Sequence, residues 1–186
     1  MTICIAFLRG INVGGHNKIK MVELKRMFEV MGLNQVHTYI QSGNVLFESE
    51  EEAEALRRRI AHEIGNVFSI SVTVVLRTSL ELERVIGNSP FSVEAVMEEQ
   101  ASSDVEIFYV SMLLASPSPE AIKQLSTFRS DGDEFRVEGR EVYLLLRDGV
   151  RNSKLANNLH KLGVPSTMRN WNTLTKLAAL AKAMEV

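Results

Sequence analysis

The chain reads as an α+β protein in which one order of elements, β-α-β-β-α-β-α, is met twice. Three observations predict it. A hairpin signal, Gly with polar neighbours between two strand-like runs, occurs once in each half, at Gln41-Ser42-Gly43 and Glu138-Gly139-Arg140. Each hairpin is preceded by an apolar strand and an amphipathic helix. Each is followed by a helix, a short strand and a further helix.

In the first half, residues 2–9 are a mostly apolar strand. Ile19, Met21, Val22, Leu24, Met27, Phe28 and Met31 then recur at helical spacing, and Gly32 is placed to end that helix. Strands at 35–40 and 44–48 flank the hairpin turn. Ser49 and Glu52 have capping-box spacing before a helix whose apolar face is Ala53, Leu56, Ile60 and Ile64. Val72–Leu76 reads as a short buried strand. Thr78 and Glu81 repeat the capping-box spacing before a brief helix to about residue 87. Asn88-Ser89-Pro90-Phe91 breaks the pattern and opens a connection, in which Val93, Val96 and Met97 suit a short helix.

The second half starts with an apolar strand at 105–114. Ser118-Pro119 supplies a cap and an N1 proline before a helix carrying Ile122, Leu125 and Phe128. Strands at 135–137 and 142–146 flank the second hairpin. Ser153–His160 is a short helix, Ser166–Met168 a final strand, and Leu174, Leu177, Leu180, Ala181 and Met184 line a terminal amphipathic helix. This order predicts two ferredoxin-like halves in tandem, each an antiparallel sheet with an extra C-terminal helix. The predicted bounds are 1–87 and 104–186, with 88–103 as the connection.

Composition bounds the function. Of 186 residues, 45% are hydrophobic and 24% charged, ordinary globular usage that argues against disorder. No apolar run approaches the roughly 20 residues that span a bilayer. The first nine residues read as a strand, not a signal peptide. A single cysteine suits a reducing compartment, and the expected location is the cytoplasm. His16, His37, His62 and His160 lack ligand spacing, so no metal is expected, and no cofactor motif is present. The net charge of −2 is uneven. Residues 140–186 hold eight Lys/Arg against three acids, and the rest holds 13 against 20.

Polar residues gather at four turns: 9–18, 41–44, 147–154 and 167–173. They are rich in Arg, Lys, Asn, Ser and glycine-flanked amides, with Asp148 the one acid among them. That inventory suits an anionic ligand. It lacks the paired carboxylates of acid–base hydrolysis. The candidate ligand-binding residues are Arg9, Asn12, Gly14, Gly15, Lys18, Ser42 and Asn44 in the first half, with Ser153, Lys154, Arg169 and Asn170 in the second. Ferredoxin-like topology puts the first two turns at one end of their sheet, and the last two together at one end of theirs. A competing reading makes the same residues turn and cap chemistry. Adjacent helix residues face different ways, which argues against Ser153 and Lys154 as nucleophile and base.

Leu8-Arg9-Gly10-Ile11-Asn12-Val13-Gly14-Gly15, Tyr39–Phe47 and Thr167–Thr173, with Asn88–Phe91 and Ser153-Lys154-Leu155, resemble the blocks of the bacterial family called domain of unknown function 1697. The likeness runs from about residue 3 to 180. It implies an α+β fold with ferredoxin-like halves and no assigned activity, so it carries no catalytic role onto this chain. The expected partner is a nucleotide or phosphorylated metabolite. A nucleic acid ranks second, because only 6% of residues are aromatic and no stacking motif appears. A structural or partner-binding role, in which the polar turns join the two halves, is the third reading.

Overall fold

The computed structural model describes residues 1–128 and 130–186. The chain forms two units, one from Met1–Arg84 with Thr175–Val186 and one from Val85–Leu174. In the first, β1 (Thr2–Leu8), α1 (Met21–Val30), β2 (Asn34–Tyr39), β3 (Asn44–Ser49), α2 (Ala53–Phe68) and β4 (Val74–Thr78) follow in order. The sheet runs β2-β3-β1-β4, and every pairing in it is antiparallel. This is the split β-α-β order of a ferredoxin-like unit.

The alternation of β1 explains its unbroken apolar run. Ala6 and Leu8 join Val45, Phe47, Val74 and Leu76 under α1 and α2, where Leu24, Phe28, Leu56, Ile60 and Ile64 are fully buried. Phe28 meets Phe47 with ring centroids 5.4 Å apart. Ile5 and Phe7, on the opposite face, are buried as well. A strand with both faces buried loses its polar alternation.

In this unit three elements differ from expectation. Val22 is 67% exposed and leaves the predicted apolar face, while Ile19 is buried from the loop before α1. The strand predicted at 72–76 is shifted to Val74–Thr78 because its ladder begins at Leu8↔Val74 and ends at Cys4↔Thr78. Ser49 pairs with Thr2 as the last residue of β3, so it cannot cap α2. Glu52 caps that helix instead, its carboxylate accepting from the amides of Glu54 (2.9 Å) and Ala55 (2.8 Å).

The capping box at Thr78 and Glu81 forms as predicted, with Thr78 N donating to Glu81 Oε2 at 2.8 Å and Glu81 N to Thr78 Oγ1 at 3.1 Å. It opens α3 (Ser79–Gly87).

The second unit contains α4 (Val93–Ala101), β5 (Phe108–Leu113), α5 (Pro119–Leu125), β6 (Asp133–Glu138), β7 (Glu141–Leu146), the short α6 (Lys154–Asn157), a 3-10 turn at Leu159–Leu162 and β8 (Ser166–Asn170). Its sheet runs β6-β7-β5-β8, the same order as in the first unit. Ser118 and Pro119 open α5 as the sequence predicts. The predicted 105–114 strand is shorter at its start, because Val105 O accepts from Gln100 and Ser103 side chains. The predicted 153–160 helix divides at Asn158 into α6 and the 3-10 turn. The final helix, α7 (Trp171–Met184), begins in the second unit and ends in the first. Among the described residues, no helix is long and apolar enough to cross a membrane.

Candidate anion-binding groove

The loop after β1 is a clamped miniature hairpin. Arg9 N donates to Thr73 O at 3.0 Å, and Ile11 returns to the core. From there Asn12 N reaches Asn17 O at 3.1 Å, and His16 N reaches Val13 O at 2.9 Å. Gly14 (φ 57) and Gly15 (φ 77) are both left-handed, as a type I′ turn requires of its two central residues. The glycines are thus explained by the turn itself.

The Asn12 side chain closes the base of this arm. Its Nδ2 donates to Ile19 O (3.0 Å) and Gln41 O (2.9 Å), and its Oδ1 accepts from Ile19 N (2.8 Å). Gln41 belongs to the β2–β3 turn, so the first two polar turns do meet. Beneath them Asn44 is fully buried, its Nδ2 donating to Tyr39 O (3.1 Å) and Ser42 Oγ (2.9 Å).

Between the arm and the start of α1 lies an open groove of about 700 Å³. Its walls include Asn12, Gly15, Lys18, Lys20, Glu23 and Gln41. Lys20 is the N-cap of α1 and its side chain makes no capping hydrogen bond, while its carbonyl accepts from Glu23 N at 3.0 Å. Lys18 and Lys20 are exposed and, among the described residues, neither has an ion pair. Glu23 in the first turn is the one acid of the groove. Arg9 and Gly14 are exposed nearby but do not line it, and neither do Ser42, in the β2–β3 turn, and Asn44, the first residue of β3.

In the second unit the candidates have other surroundings. Ser153 Oγ donates to Asp133 Oδ2 at 2.7 Å while accepting from Ala156 N at 3.0 Å, which makes it the cap of α6. Lys154 N donates to Ser130 Oγ at 3.0 Å and its side chain is exposed. Asn170 Oδ1 accepts from Thr173 N at 2.8 Å, at the start of α7. Arg169 is buried, its Nη1 donating to Thr167 Oγ1 (2.8 Å) and Met168 O (2.9 Å). Burial pushes its pKa down to about 10. The ends of β7 and β8 share one end of the sheet with β5 between them, through Phe108↔Leu145 and Tyr109↔Asn170. Arg147 faces acids there, with bonds of 2.8 and 3.1 Å to Glu99 and 2.8 Å to Glu134. Trp171 stacks on Phe108 at 4.5 Å in the core.

Residues 1–143 match the model of the family described as a protein of unknown function, DUF1697. The chain belongs to this family. This DUF1697 protein is also similar to the solved structure of a conserved bacterial protein, SP0830 from Streptococcus pneumoniae. The TM-score is 0.73 and the identity 23%, over 97% of this chain and 98% of that one. That likeness concerns the fold. No curated protein matches.

Two features of the DUF1697 chain escaped the sequence reading. Lys20 was overlooked although the absence of Ser, Thr, Asp or Asn before Met21 signals a helix start without a side-chain cap. Arg77 is 2% exposed in β4, with Nη1 donating to Leu76 O at 2.9 Å. It holds the place in its half that Arg169 holds in the other, as the penultimate residue of the fourth strand. Comparing Leu-Arg-Thr with Met-Arg-Asn at the same point of the element order would have found it. Among the described residues, no cluster of three or more His, Cys, Asp or Glu is placed to hold a metal.

Proposed function

We propose that the groove beside α1 binds an anionic small molecule, a nucleotide or phosphorylated metabolite. One observation carries the reading: Lys18 and Lys20 line the same groove, at an uncapped helix start, with no acid paired to either among the described residues. The amide end of a helix carries roughly half a positive charge, and two lysines add to it. In this reading Gly15, Lys18 and Lys20 touch the ligand. Asn12, Ser42 and Asn44 hold the walls, and Glu23 weakens attraction to a multiply charged anion. Its location is taken as the cytoplasm, where the thiol of Cys4, pushed up to about 11 mainly by burial, stays protonated and reduced.

A second reading, polar turns as internal fasteners, is favoured at Asn12, Asn44, Ser153 and Arg147, whose hydrogen bonds close within their own units. The two readings separate in a thermal-shift experiment with ATP, pyrophosphate and glucose 6-phosphate. A ligand at 100 times its Kd stabilises by about 2.7 kcal/mol, a rise of several degrees at this size. The rise is expected to vanish in the Lys18→Ala/Lys20→Ala double variant and to grow in Glu23→Gln. No rise with any of the three, or one untouched by the double variant, leaves the fastener reading in place.

A further inference from the structure

A second groove of the first unit lies between α1 and α2, and its lining is of a different kind. Its volume is about 310 Å³. Val30 and Val67, 82% and 51% exposed, line it from the two helices. Met27 and Phe68, which pack into the core of this unit, also reach it. Single exposed aliphatics are ordinary on a protein surface. Here two of them share one groove with two core residues. Glu23, Arg26 and Glu63 complete the lining, and among the described residues none of the three has an ion pair. Glu23 and Arg26 stand three residues apart in α1, a spacing at which opposite charges pair, and still no bridge joins them.

Size and charge together select an occupant. A volume of about 310 Å³ is at the small end of ligand sites and too small for a docked helix or nucleic acid. A polyanion would meet two carboxylates, and a simple cation would meet Arg26. A hydrocarbon would leave all three charges unanswered. A zwitterion with an apolar body answers both signs and covers the valines. We infer that this groove binds a free α-amino acid with an apolar side chain. Its carboxylate lies at Arg26, its ammonium at Glu63, and its side chain against Val30, Val67, Met27 and Phe68. The inference stands apart from the anion reading, since the two grooves share only Glu23 among their lining residues.

The test is an NMR titration of the full chain with L-leucine, L-phenylalanine, L-leucinamide, 4-methylpentanoate and L-alanine. Leucine, phenylalanine or both are expected to shift the amide resonances of α1 and α2 at the groove. Leucinamide lacks the carboxylate and 4-methylpentanoate lacks the amine. Each is expected to bind about two- to fivefold more weakly than leucine, the worth of one exposed ion pair. Alanine is expected to bind about tenfold more weakly, because it cannot cover the valines. In Arg26→Gln the difference between leucine and leucinamide is expected to disappear, and in Glu63→Gln that between leucine and 4-methylpentanoate. Neither side chain has an ion pair among the described residues, so both variants keep the fold. Equal affinity for leucine, leucinamide and 4-methylpentanoate overturns the inference. So does a preference for leucine that persists in both variants, or an absence of shifts with both leucine and phenylalanine.

Discussion

Gly43 shows how little space separates the loop after β1 from the β2–β3 turn. A Cβ built there would lie 2.8 Å from Ile11 Cδ1 and 2.9 Å from Leu8 Cβ, at a φ of +87. Gly10 has a similar φ of +73 but nothing within 4 Å of the same position. The pair therefore separates two costs. Gly10→Ala is expected to lose about 1 kcal/mol for the left-handed backbone alone. Gly43→Ala should lose about 3 kcal/mol, because overpacking is added. Urea denaturation of both variants measures the difference, and equal losses would mean that Ile11 and Leu8 give way freely. Residue chemistry was readable in the sequence, but its use was not. Asn12 and Asn44 read as ligand donors because an amide that binds a phosphate and one that binds a carbonyl are the same group. The partner that decides the matter for Asn12, Gln41 O, lies 29 residues away.

At the scale of elements, helix starts were the most legible feature, since capping is local chemistry. Ser118 and Thr78 both accept from amides as the sequence predicts. The Ser49 reading failed because a longer-range interaction, the β1–β3 ladder, claimed that residue first. The actual cap makes a pH prediction. Glu52 is held below its ordinary range by the Glu54 and Ala55 amides, and Glu54 is lowered to about 2, chiefly by its hydrogen bond to Arg57. Both bind protons less readily folded than unfolded. Their stabilisation is complete above their ordinary pKa of 4.5 and is lost as pH falls through their lowered folded values, about 2 for Glu54. Circular-dichroism melts should show Tm dropping across that acid range. Glu52→Gln is expected to lower Tm at pH 7 and to lower it progressively less as the pH falls below 4.5. A variant equally destabilised across that range would show that the charge on Glu52 is immaterial.

Over the whole molecule, element order was legible because hairpin, helix and strand signals recur in the same sequence in each half. Strand order then follows from ferredoxin-like topology, β2-β3-β1-β4 and β6-β7-β5-β8. The sites of the second half were not legible, since Ser153 and Asn170 carry the same signal whether they cap a helix or hold a ligand. Charge at this scale bears on partners. The net charge is −2, and two lysines that have no ion pair among the described residues line the groove. A single-stranded RNA that used only this groove would release few counterions. The slope of log affinity against log salt is expected to be about −1 to −2, well short of the −6 or steeper of extended backbone binders. Fluorescence titration of oligo(U) at several salt concentrations measures it, and a steep slope would revive the nucleic-acid reading.

A wall built as a paired hairpin has a quantised height. Inserting one residue between Asn12 and Asn17 would break the pairing that closes the base of the arm. Inserting matched residues on both sides adds whole rungs, each about 3.4 Å tall, and leaves the clamp at Asn12 untouched. Added rungs reverse the facing of the tip at every odd step and restore it at every even one. The reach of this rim over the groove is thus an adjustable dimension, separable from the stability of the sheet that carries it.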